Sequence, residues 1–201
     1  MIKTFFLGAL AVLALSAAPA MAAPEIGKAA PEFTATDSNG KSHKLSDFKG
    51  KTVVLEWTNP ECPYVVKHYD SKNMQKLQEE ATAKDVVWLS INSGAEGKQG
   101  HLTDEAANKY IADKGAKQTA YLLDGTGEIG KAYDAKTTPH MFVIDKEGVL
   151  VYDGAIDDND SANAADAATA KNYVTAALDA LAAGKPVENS KTKPYGCGVK
   201  Y

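Results

Sequence analysis

Two cysteines, Cys62 and Cys197, are the only thiols in this 201-residue chain, and they lie in very different surroundings. Cys62 follows an apolar run, Thr52-Val53-Val54-Leu55-Glu56-Trp57, and a short polar turn, Thr58-Asn59-Pro60-Glu61. The run reads as a buried strand over Val53–Trp57, and Cys62 opens a helix expected to reach about Ala83. A thiol at a helix mouth faces backbone N–H groups without intrahelical acceptors and the positive end of the helix dipole. Both favour the thiolate, so the sulfur becomes a nucleophile near neutral pH. Pro63 suits the first turn, where a missing donor costs nothing. Cys197 sits between Gly196 and Gly198 in a polar tail. Two cysteines in an exported chain suggest one disulfide. It is either a staple tying the tail to the body or a redox pair in which the tail carries Cys197 to Cys62. The helix-mouth position of Cys62 favours the redox pair.

Other side chains could take part. Glu56 is a carboxylate within an apolar strand, and burial would raise its pKa and make it a proton carrier for a nearby sulfur. The alternative places it at a wet sheet edge or against a lysine. His68, six residues beyond Cys62, is turned about 240° from it along a helix, off the cysteine's face, and is expected at the surface. His140 follows Pro139 and could tune the thiolate or contact substrate; strand packing serves equally well. His43 and His101 are expected in solvated loops. Gly125-Thr126-Gly127-Glu128-Ile129-Gly130 has the dinucleotide-binding spacing, but the helix after it is about two turns, short for a crossover. It reads instead as a turn and helix start. Asp157-Asp158-Asn159-Asp160 lacks the glycine and distal glutamate of a calcium loop and reads as a charged helix cap. No metal ligands and no cofactor are assigned.

These residues need elements to hold them. Phe33–Thr36 and His43–Leu45 form a hairpin across Asn39-Gly40, and the central strand Val53–Trp57 follows. After the Cys62 helix come a strand over Val86–Ile91, a glycine-rich loop, and a helix from Thr103 or Asp104 to about Lys114. A strand over Ala120–Leu123 and a brief helix over Glu128–Ala135 lead to a hairpin of His140–Asp145 and Val149–Asp153. An alanine-rich helix from Asp160 or Ser161 to about Ala183 closes the series. The order predicts an α/β domain with a central mixed sheet, and helices on both faces explain why Val53–Trp57 is nearly unbroken in apolarity.

Residues 1–22 have one lysine, an apolar run and Ala20-Met21-Ala22, the pattern of a cleaved signal peptide, so a periplasmic address is expected. Residues 23–185 then make one domain and 186–201 a tail carrying Cys197. No later stretch approaches the roughly 18 apolar residues of a membrane span. The net charge is −4, and all 22 basic residues are lysines. An acidic chain without arginine is a poor partner for nucleic acid or anionic membranes.

The strand, the polar turn and Cys62-Pro63-Tyr64-Val65 together resemble the active-site region of the thioredoxin-like superfamily. Cys62 takes the first cysteine of Cys-x-x-Cys, and Val65 stands where the second would be. Thr138-Pro139, ahead of the strand Met141–Ile144, sits where that superfamily carries a cis-proline. The N-terminal hairpin followed by Leu45, Phe48, Gly50 and Lys51 resembles the start of redoxin domains. The ending Lys193-Pro194-Tyr195-Gly196-Cys197-Gly198-Val199-Lys200-Tyr201 resembles that of a peroxiredoxin-like branch with a single cysteine at the first position. The resemblance implies a thioredoxin-like fold with an N-terminal β-hairpin extension and a cis Thr138-Pro139 bond. It also places Glu56 where thioredoxins carry a buried acid, and substrate contacts at Pro63, Thr138, Pro139 and His140.

The function implied is an exported thiol-disulfide oxidoreductase with Cys62 as nucleophile and Cys197 as resolving thiol. It would act on protein disulfides or hydroperoxides and draw on a thiol electron donor. A peroxiredoxin-like peroxidase is the alternative within the superfamily. That activity uses a threonine three residues before the cysteine and a downstream arginine; here Asn59 holds the first place, with Thr58 beside it, and arginine is absent. From another class, Cys62, His140, Met141 and Cys197 could serve a copper or haem handling protein without enzymatic activity. Copper-delivery relatives of this fold carry two closely spaced cysteines.

Overall fold

The computed structural model describes residues 23–201. The expected signal peptide, 1–22, lies outside the described residues. The chain begins with the hairpin β1 (Thr34–Thr36) and β2 (Ser42–Lys44). The central strand β3 (Val53–Trp57) leads through the polar turn into α1 (Pro63–Asp70) and α2 (Asn73–Thr82). Next come β4 (Val87–Asn92), α3 (Asp104–Lys114), β5 (Ala120–Leu123) and α4 (Glu128–Ala132). The two-residue strand β6 (Thr137–Thr138) precedes β7 (His140–Ile144) and β8 (Leu150–Gly154); α5 (Tyr173–Ala182) and β9 (Cys197–Gly198) complete the order.

The main sheet runs β5-β4-β3-β7-β8, with β3 parallel to β4 and antiparallel to β7. This is the mixed sheet that the element order predicted. All five residues of β3 are buried because both faces are covered. Val53, Leu55 and Trp57 meet Phe33, Leu89, Ile91, Tyr133 and Phe142 on one side. Val54 lies on the other with Val65, Tyr69, Met74, Leu77, Val174 and Ala177 from α1, α2 and α5. Cys62 belongs to this second cluster, so α1 is seated on the sheet by its own apolar face.

Several expectations are corrected. The long helix after Cys62 is two helices, broken at Lys72, whose φ is +62°. The Gln75 amide donates to the Tyr69 and Lys114 carbonyls at 2.9 and 2.8 Å, satisfying an acceptor freed by the break. The alanine-rich helix starts only at Tyr173, capped by Asn172, whose side chain accepts from Thr175 N at 2.8 Å. Upstream, Asp157 and Asn159 each accept the backbone N–H two residues on, and Asn163 caps only a short 3-10 helix over Ala164–Ala168. Such local hydrogen bonds compete with helix formation. Asp157-Asp158-Asn159-Asp160 is therefore no helix cap, and Asp157 itself is buried.

His43 is not in a solvated loop. It lies in β2, buried, with Nε2 2.8 Å from Asp37 Oδ2. His101 is in a loop but half-buried, its Nδ1 2.9 Å from the Gly94 carbonyl. Asp37 also accepts from the N–H groups of Asn39 and Lys41, which closes the hairpin that Asn39-Gly40 signals. Among the described residues no helix is long and apolar enough to cross a membrane.

Candidate active site

Cys62 is the residue before the first turn of α1, with extended backbone, and Pro63 occupies the first helical position. The β3-to-α1 turn is held by Asn59, whose Oδ1 accepts from Glu61 N at 2.9 Å and whose Nδ2 donates to the Gln99 carbonyl at 3.2 Å. The Cys62 side chain is fully buried, and its thiol donates to the Thr138 carbonyl at 3.0 Å. The Thr138-Pro139 bond is cis, as the resemblance implied. The Thr138 hydroxyl is buried and has no hydrogen-bond partner.

The tail completes the site. Cys197 pairs antiparallel with Thr138 in the β6–β9 ladder, and Gly198 with Thr137. That register sets Cys197 beside Cys62, close enough for each thiol to shift the other's titration. The two cysteines are free thiols in this state. Burial alone would raise the Cys62 pKa. Hydrogen bonds from Cys197, Thr138 and the Val65 N–H outweigh it, and the pKa lies below the ordinary 9.0. Cys197 moves the other way: burial and the neighbouring Cys62 sulfur push its thiol up to about 11. The two adjacent thiols are thus shifted in opposite directions.

The tail is fastened along its length. Ser190 and Thr192 bond to the Asp153 backbone, and the Thr192 hydroxyl accepts from Ala155 N at 2.9 Å. Val199 N donates to the Lys136 carbonyl, and the Lys200 carbonyl accepts from Ala95 N. The terminal Tyr201 hydroxyl donates to the Ala135 carbonyl at 2.8 Å. A Cβ at Gly127 or Gly130 would come within 2.5 Å of the Tyr201 ring. Two glycines of the dinucleotide-like motif thus make room for the chain's own last side chain.

His68 corrects another expectation. It is fully buried, with Nδ1 2.9 Å from the Asn73 amide and Nε2 3.2 Å from the Tyr195 hydroxyl. Its side of α1 is covered by the tail and by the Asp157 turn. Burial and the Lys67 charge lower its pKa to about 3. Tyr195 also donates to Asp157 Oδ1, and its ring stacks edge-on with Tyr64 at 5.8 Å and lies under Lys67 Nζ at 5.5 Å. These contacts clamp the tail two residues before Cys197. The spacing of His68 from Cys62 gave no sign of this cover.

Glu56 lies buried on β3 opposite Ser90 and Met141. Its carboxylate accepts from Trp88 Nε1 and Ser90 Oγ at 2.8 Å each, Tyr69 OH at 3.1 Å and Gln78 Nε2 at 3.2 Å. Burial raises its pKa, and the four hydrogen bonds oppose that rise without cancelling it. These bonds tie α1 and α2 to β3 and β4, so any proton exchange with sulfur runs through intervening groups. Glu56→Ala leaves four buried donors without their acceptor and should cost about 3–5 kcal/mol of stability, read from urea unfolding. Glu56→Gln tests the titration. A carboxyl whose folded pKa is raised supports the fold fully below its unfolded value, here near 4.5. That support is lost as pH rises through the folded value, so wild-type stability should decline across that window and the Gln variant should lack this contribution.

His140 lies on the opposite face of β7 from Met141. Its Nε2 is 2.8 Å from Asp153 Oδ1, its Nδ1 accepts from Lys136 N at 3.2 Å, and its ring packs on Phe142 at 4.4 Å. Met141 belongs to the core cluster that includes Cys62. The structure therefore brings Cys62, Pro63, Thr138, Pro139 and Cys197 together and commits His140 to Asp153.

Comparison with known proteins agrees with this geometry. The Redoxin family profile matches residues 25–171. The thiol-disulfide oxidoreductase ResA of Bacillus thuringiensis is 33% identical over 134 residues, 63% of this chain and 68% of its own. The crystal structure of an uncharacterized conserved protein from Geobacillus kaustophilus has 30% identity and a TM-score of 0.75, covering 88% of this chain and 92% of its own. A hypothetical protein from Sinorhizobium meliloti has 25% identity and a TM-score of 0.75, covering 90% and 96%. With its helix-mouth cysteine facing a cis-proline across a mixed sheet, the chain belongs to the Redoxin family and has the thioredoxin-like fold.

Proposed function

We propose that this protein is an exported thiol-disulfide oxidoreductase that uses Cys62 as nucleophile and Cys197 as resolving thiol. The pairing of Cys197 with Thr138 over the Cys62 sulfur carries this reading. The Cys62 thiolate attacks one sulfur of a substrate disulfide, forms a mixed disulfide and expels the other substrate sulfur as a thiolate that takes up a proton. Cys197 then loses its proton and attacks the Cys62 sulfur. The Cys62–Cys197 bond forms, the second substrate thiol leaves, and the substrate has gained two electrons. A thiol donor reduces the bridge for the next cycle. Val65 cannot replace Cys197, so the tail carries the function that the second cysteine has in Cys-x-x-Cys proteins.

A thiol peroxidase is the second reading, and burial favours it in one respect. With the tail docked Cys62 is inaccessible to a protein disulfide, whereas a hydroperoxide is small. The Thr58 hydroxyl beside the turn is also buried and unpartnered. Peptide mapping by mass spectrometry, with thiols blocked at harvest, tests the main reading. A Cys62–Cys197 bridge that millimolar dithiothreitol opens in the folded protein is the expected result. Thiols that stay free in oxidant, or a bridge that resists reduction until unfolding, would overturn it. Faster bridge formation with peroxide than with protein disulfides would select the peroxidase.

A further inference from the structure

We infer that, in the bridged protein, the external thiol donor attacks Cys197 rather than Cys62, so that the tail cysteine is the port through which reducing equivalents enter. This rests on the Cys62–Cys197 redox pair proposed above. It reverses the polarity expected when the cysteine at the helix mouth is the exposed member of a pair.

Access decides first. Cys62 is fully buried among Val65, Tyr69 and Met141, beneath the Thr138 carbonyl and β9. Cys197 is only partly buried, on a two-residue strand followed by the exposed Gly198, with the exposed Lys193 upstream. Thiol-disulfide exchange is in line: the incoming sulfur approaches along the S–S axis from the side away from the leaving sulfur. For Cys62 that side is the protein interior. Cys197 is the member of the pair with solvent-exposed surface. Closing the bridge draws on two thiols set side by side by the Thr138–Cys197 pairing, and the tail's other anchors at Thr192, Tyr195 and Tyr201 stay outside the exchange.

The leaving group acts in the same direction. Attack at Cys197 expels the Cys62 sulfur at the mouth of α1, whose pKa lies below the ordinary value. Attack at Cys62 would expel Cys197, whose thiol is pushed up to about 11 and which leaves poorly. The chemistry balances. A donor thiolate forms a bond to Cys197 Sγ as the Cys62–Cys197 bond breaks, and the electron pair goes to Cys62. The donor's second thiol then displaces Cys197, which takes up a proton. The donor leaves as a disulfide and both cysteines are reduced. The partner is accordingly a dithiol that engages the tail edge and need not enter the groove beside Pro139.

Rapid-quench mapping with glutathione as the attacking thiol tests this on the full-length wild-type protein. Oxidised protein is mixed with glutathione for milliseconds to seconds, quenched in acid, alkylated and digested, and the glutathione adduct is located by mass spectrometry. The expected early product carries glutathione on Cys197 and the alkyl label on Cys62, at about tenfold or greater excess over the reverse. Glutathione on Cys62 in equal or larger amount would overturn the inference while leaving the redox pair standing. If the oxidised protein contains no Cys62–Cys197 bridge before glutathione is added, the redox-pair reading itself fails and this inference with it.

Discussion

Cys62→Ser should reduce disulfide exchange to the uncatalysed background, a loss on the order of a thousandfold or more, because a serine hydroxyl at neutral pH supplies almost no anion. Cys197→Ser should behave differently. Its Cys62 can still attack, so the reaction should stop at the mixed disulfide and a covalent substrate adduct on Cys62 should accumulate on non-reducing gels. A merely structural disulfide would not separate the two variants in this way, since either substitution breaks it equally. The pH profile adds a second readout. The rate of Cys62 alkylation in the reduced wild type should have its midpoint below 9.0, where the hydrogen bonds from Cys197, Thr138 and Val65 hold the thiolate. In Cys197→Ala the largest of those bonds is gone, and the midpoint should move upward.

Gly196→Ala should have the next largest effect. Gly196 has φ +131°, a region that residues with a Cβ rarely occupy, and an added Cβ would lie 2.0 Å from the Thr138 carbonyl oxygen. That carbonyl belongs to backbone held by the β6–β9 pairing, so it cannot yield as a flexible side chain would. The substitution should lift β9 from β6. Cys197 should lose at least tenfold in effective concentration at Cys62, measured as the equilibrium of the bridge with dithiothreitol. Cys62, no longer covered, should alkylate faster. Gly198→Ala is the control, because its Cβ would meet nothing closer than the Lys136 carbonyl at 3.9 Å. A wild-type bridge equilibrium in Gly196→Ala would mean that the strand pairing does not position Cys197.

The active-site half of the molecule was legible in the chain because its signals are local. A nearly unbroken apolar strand, a turn and a proline in the next helical turn place Cys62 at a helix mouth by backbone geometry alone. Thr138-Pro139 needed the resemblance, since nothing in its own residues distinguishes a cis from a trans bond. Asn39-Gly40 announced its hairpin through turn chemistry and was right, while His43 three residues later was misjudged. Its partner, Asp37, becomes its neighbour only when the hairpin closes.

The long helices were the least reliable part for a similar reason. Helical periodicity carries through Ser71-Lys72 without a mark, and the break is supported by Gln75 reaching Tyr69 and Lys114, a contact between elements. Upstream of α5, alanine content argued for continuous helix, whereas Asp157 and Asn159 form Asx turns and Asn163 caps only a short 3-10 helix over Ala164–Ala168.

By itself the sequence determined the mixed α/β order, the thiol at the start of α1 and the presence of a second thiol near the end, and it left Glu56 open between core and sheet edge. Each depends on periodicity, a turn or a residue's chemistry within a few positions. Tertiary structure alone decided that the tail lies across the site. It makes Thr138 the backbone partner of Cys197, buries His68 beneath Tyr195, commits His140 to Asp153 and gives the Gly127 and Gly130 faces to Tyr201. The physical reason is distance along the chain. Cys197 and Cys62 share no local pattern, and only the register of two short strands brings one thiol to the other.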